Sequence, residues 1–65
     1  MEGIAKLYAA MEPENAADVI VNLYSLEDMA AIIHFMSASK AAGILECLTP
    51  QLAAQITDQL INTYS

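Results

Sequence analysis

Pro13-Glu-Asn-Ala-Ala-Asp-Val-Ile-Val-Asn-Leu23 is answered, 13 residues on, by Leu26-Glu-Asp-Met-Ala-Ala-Ile-Ile-His-Phe-Met36. Ala38 to Leu48 and Pro50 to Leu60 extend the series without gaps, each at a further offset of 12. Within every segment the positions i, i+3, i+4 and i+7 are apolar, the spacing that places side chains on one face of an α-helix. The stripes are Ala16, Val19, Ile20, Leu23; Met29, Ile32, Ile33, Met36; Ala41, Ile44, Leu45, Leu48; and Ala53, Ile56, Thr57, Leu60. Only Thr57 departs. Ile4, Leu7, Tyr8 and Met11 make the N-terminal segment a fifth copy.

Outward from the stripes, the residue after the first stripe position is alanine in all five copies: Ala5, Ala17, Ala30, Ala42 and Ala54. A side chain this small lets a neighbouring helix approach closely and loses no rotamer freedom. Ser25, Ser37 and Thr49 each stand one residue before a new copy, where a hydroxyl accepts from the unsatisfied N–H groups of a helix start. Asp28, three residues after Ser25, completes a short form of the capping box. Pro13 and Pro50 fall at first helical positions, where a missing N–H costs nothing. The predicted helices are residues 3–11, 13–23, 26–36, 38–48 and 50–62. Connections of one or two residues are too short for relaxed antiparallel hairpins. The expected fold is therefore all-α: a compact superhelix, or small α-solenoid, of five short helices in repeats of 12–13 residues.

Composition narrows the function. In 65 residues there is room for one domain, which leaves about 40% of the unfolded chain's surface exposed. Two lysines, no arginine and eight carboxylates give a net charge of −6. That balance argues against nucleic acid and anionic membranes, both of which require clustered cations. Hydrophobic residues make up 57% of the chain and charged residues 15%, unlike a disordered segment. The longest uncharged runs, 29–39 and 47–57, are 11 residues, short of the roughly 18 a membrane helix needs. Met1-Glu2-Gly3 lacks the positive start and apolar stretch of a signal peptide.

Chemistry-bearing residues are few. His34 is the only histidine, and it shares a repeat column with Val21, Glu46 and Asp58, opposite the stripe. It reads as a surface residue rather than a catalytic or metal-binding one. Cys47 shares a column with Asn22, Phe35 and Gln59. A single thiol is either free or joined to another molecule. The pairs Glu12/Glu14 and Glu27/Asp28 lie at helix starts, where the helix dipole accounts for them. No catalytic residue, metal ligand or cofactor site is assigned. More informative is apolar character away from the stripes, at Val21, Tyr24 and Phe35, with His34 beside them. Either a five-helix bundle wraps its middle helix and buries these residues, or they form an exposed patch for a partner or a second copy. The second reading makes Val21, Tyr24, His34 and Phe35 interaction residues and predicts a weak homodimer.

The phrase Tyr8-Ala-Ala-Met-Glu-Pro-Glu-Asn-Ala-Ala-Asp-Val-Ile, echoed at Ser37-Ala-Ser-Lys-Ala-Ala-Gly-Ile-Leu and Thr49-Pro-Gln-Leu-Ala-Ala-Gln-Ile-Thr, resembles the MgtE N-terminal-domain superfamily. Its repeats run roughly Asp-Pro-Glu-x-Ala-Ala-x-Ile-Leu, and the resemblance covers residues 4–62. Lys6-Leu7-Tyr8-Ala-Ala-Met11 and Thr57-Asp-Gln-Leu60 are similar to the C-terminal module of MotE/YlxF/FlbB-like flagellar proteins. That resemblance implies a non-enzymatic protein–protein interaction module, excised from a longer, membrane-tethered chain. It also implies a place on the periplasmic side of the inner membrane and a partner in the flagellar stator or basal body. The other branch of the superfamily implies a cytosolic, divalent-cation-sensing domain of a magnesium transporter. The chain differs from both in carrying Val21, His34, Phe35 and Leu52 where lysine or glutamate is ordinary.

Overall fold

The start of a helix leaves N–H groups without partners, and three hydroxyls answer them here. Ser25 Oγ accepts from the Asp28 N–H at 3.2 Å, Ser37 Oγ from the Lys40 N–H at 3.4 Å, and Thr49 Oγ1 from the Leu52 N–H at 3.2 Å. The carbonyls of Ser25, Ser37 and Thr49 each accept the first helical bond at 2.9 Å, and that of Glu12 does so at 3.0 Å. The computed structural model describes residues 2–23 and 25–64. Their five helices are α1 (Glu2–Ala9), α2 (Pro13–Leu23), α3 (Leu26–His34), α4 (Ala38–Glu46) and α5 (Pro50–Tyr64). The described residues contain no strand, and the class is all-α.

The helix ends differ from the expectation by up to two residues, and the cause is local. After α1, α3 and α4 the chain tightens into bonds between an N–H and the third carbonyl back. Met11 donates to Tyr8, Met36 to Ile33, and Leu48 to Leu45, each at 3.1 Å. Such turns satisfy the last carbonyls without the left-handed residue that glycine usually supplies. The final stripe positions Met11, Met36 and Leu48 thus lie just past their helices, half-buried against the core. By contrast, α5 runs to Tyr64, beyond the expected 62.

Beyond α1, packing pairs helices that stand two places apart in the chain. α3 lies on α5, α2 on α4, and α1 against both α2 and α3. The core consists of Ala5, Tyr8, Ala16, Ala17, Ile20, Met29, Ala30, Ile32, Ile33, Ile44 and Ile56. Ile20, Ile32 and Ile56 are its largest fully buried side chains, each stabilising the fold by roughly 1.5–3 kcal/mol. No polar or charged side chain is buried among the described residues.

Two sequence expectations need correction. The alanine column is buried at Ala5, Ala17 and Ala30 but exposed at Ala42 and Ala54. α1, α2 and α3 each have a helix two places further on lying against them, whereas α4 and α5 have none. The stripe is also not uniformly inward. Ile4 and Leu7 on α1 are exposed, Leu7 by 59%, and Leu23 at the end of α2 is 68% exposed. Among the described residues no helix precedes α1 to cover its outer side.

Candidate interaction surface

His34 and Phe35 owe their positions to the α3–α4 junction. His34 is the last residue of α3, and the Phe35 N–H donates to the Ala31 carbonyl at 3.3 Å. Two residues later Ser37 caps α4. Hydrogen bonds on both sides therefore hold this short connection, and its side chains project from a fixed backbone. Both are exposed, Phe35 by 48%. The wrapped-bundle alternative would bury Phe35, whereas about half of its surface faces solvent.

The rings form a cluster. The His34 imidazole stacks on the Tyr64 phenol, with centroids 3.9 Å apart and planes 10° from parallel. Phe35 and His34 meet in a T-shaped arrangement, with centroids 5.1 Å apart and planes 70° from parallel. Aromatic contacts of this kind contribute about 0.5–1.5 kcal/mol each beyond area burial. Ile61, one turn before Tyr64 on α5, is 56% exposed and adds apolar surface at the same helix end. Tyr64 and Ile61 were not among the residues expected from sequence. Their signal is faint: Ile61 and Tyr64 stand at helical spacing, but both lie past the repeat that ends at Leu60.

The remaining expected residues are less tightly placed. Val21 is exposed, on α2, a helix that packs chiefly on α4 rather than on α5. Tyr24 lies outside the described residues. Cys47 is exposed and its thiol donates to the Gly43 carbonyl at 3.3 Å. Among the described residues no group of three His, Cys, Asp or Glu side chains could hold a metal ion, and no pocket opens. Among the described residues no helix is long and apolar enough to cross a membrane. The described carboxylates are exposed or half-exposed.

The fold and this surface define a class and no more: a small all-α domain with exposed aromatic side chains at helix ends. Comparisons with known proteins returned no matching family model, no matching curated protein and no matching solved structure.

Proposed function

We propose that this chain is a non-enzymatic docking module, whose ring surface at His34, Phe35 and Tyr64 binds a partner protein. The carrying observation is the exposure of Phe35 on a backbone held by hydrogen bonds from both sides. An aromatic side chain left in water forgoes about 25 cal/mol per Å² of burial, and a partner recovers it without first ordering the backbone. From the repeat resemblance, the parent is a membrane-tethered flagellar protein acting around the stator or basal body, on the periplasmic side of the inner membrane.

The test is a Phe35→Glu substitution in the parent gene of the bacterium that carries it. Swimming in soft agar should fall sharply while the level of the protein and the helical circular-dichroism signal stay unchanged. Normal swimming with the variant would remove the ring surface from motility. The parent gene gives a second reading: an upstream membrane helix followed by heptads supports the flagellar assignment. Downstream transporter spans would favour cation sensing instead.

A further inference from the structure

Burial in this fold depends on a residue's column and on where its helix stands in the chain. The alanine column and the third stripe position are buried together in α1, α2 and α3, at Ala5 and Tyr8, Ala17 and Ile20, and Ala30 and Ile33. In α4 and α5 the same columns open: Ala42, Ala54 and Thr57 are exposed and Leu45 is half-buried. The second stripe position behaves in reverse. Ile32, Ile44 and Ile56 are buried in α3, α4 and α5, whereas Val19 is half-buried in α2 and Leu7 is 59% exposed in α1. One set of columns therefore meets the helix two places on, and the other meets the helix two places back. The molecule carries the two halves of its own internal interface uncovered at opposite ends.

We infer that the chain associates head to tail with a second copy, α1 of one molecule seating on α4 of the next. Leu7 and Ile4 would then cover Ala42 and Leu45 as α4 covers α2 within the chain. Continuity with the packing between α2 and α4 argues for this occupant, because the new contact repeats a geometry the sequence already makes. Charge agrees: neither Ile4, Leu7, Ala42 nor Leu45 is charged, in a chain of net −6. Thr57 sets the limit of the contact. It places a hydroxyl in the third stripe position of α5, donating at 2.8 Å to the Ala53 carbonyl, so the α5 side gains little from a cover. One helix pair is a small interface, and the association is correspondingly weak. This joining is heterologous and leaves one free end of each kind, so it extends beyond a dimer. It does not involve the ring surface, through which the sequence suggested self-pairing.

Sedimentation of the 65-residue chain at millimolar concentration tests the inference. The average mass should climb past that of a dimer, and raised salt should strengthen the effect by screening like charges. Leu7→Glu and Ala42→Glu should each give a monomer with unchanged helical circular dichroism, since both positions are exposed. An equimolar mixture of the two variants should restore a 1:1 dimer that grows no further, because each molecule then has one blocked end. A closed wild-type dimer that Phe35→Glu abolishes would overturn the inference in favour of the ring surface. A monomer under all these conditions would overturn it outright.

Discussion

Ala30 has no exposed surface, and α3, the helix that carries it, lies against α5. A leucine there would have to displace a helix, so Ala30→Leu should cost about 1–3 kcal/mol. Ala42 occupies the same column but faces solvent, as do Ser39 and Gln51. Leucine at any of these three should change stability by no more than about 0.5 kcal/mol. Urea midpoints would separate the groups, and equal losses at Ala30 and Ala42 would contradict the burial described above. Gly43 offers the opposite test. A Cβ built on it meets only Pro13 Cγ at 3.5 Å and Cβ at 3.7 Å, an ordinary van der Waals contact. Glycine within a helix is about 1 kcal/mol worse than alanine. Gly43→Ala should thus stabilise the domain by roughly 0.5–1 kcal/mol, read from the same urea transitions.

At the scale of the helix, starts matter more than propensity. α3 and α4 are each 9 residues long, shorter than an isolated helix can sustain in water. Their caps and packing therefore decide whether they form. Ser25→Ala, Ser37→Ala and Thr49→Ala each remove one hydroxyl that accepts an N–H, and each should cost about 0.5–2 kcal/mol. Replacement by aspartate or asparagine should recover most of the loss, since either side chain supplies an acceptor of the same reach. A loss that aspartate fails to recover would point to a role other than capping. The junction after α3 serves two purposes. The turn that ends the helix at His34 also sets Phe35 on the surface, so the element boundary and the candidate site share one cause.

For the whole molecule, the accessible surface of 4022 Å² matches the roughly 4,000 Å² expected of a folded monomer of 7.0 kDa. The radius of gyration, 10.3 Å, is close to the ~10.7 Å of a globular chain this long. Domains of this size have little stability in reserve, so any ligand specific to the native state should register as a change in melting temperature. Millimolar magnesium should produce no rise beyond a matched calcium or ionic-strength control. A magnesium-specific rise of several degrees would favour the cation-sensing reading over docking.

Helix number, helix starts to within a residue and the apolar stripe of each helix were legible from sequence, because they depend on neighbours within about four positions. The hydroxyl caps at Ser25, Ser37 and Thr49 act three residues ahead. Helical spacing puts Ile20, Ile32 and Ile56 on the stripes, but it puts the exposed Leu7 and Leu23 there as well. The half-exposure of Phe35 came only with the tertiary structure. Tyr64 joined the candidate surface only because α5 continues far enough to bring its ring against His34. The alanine column shows the division most clearly. Identical residues at identical repeat positions are buried in α3 and exposed in α4, because burial requires a helix two places further on. Sequence alone determined which face of each helix is apolar; only the tertiary structure decided which of those faces another helix covers, since that depends on each helix's place in the chain and on which helices lie against it.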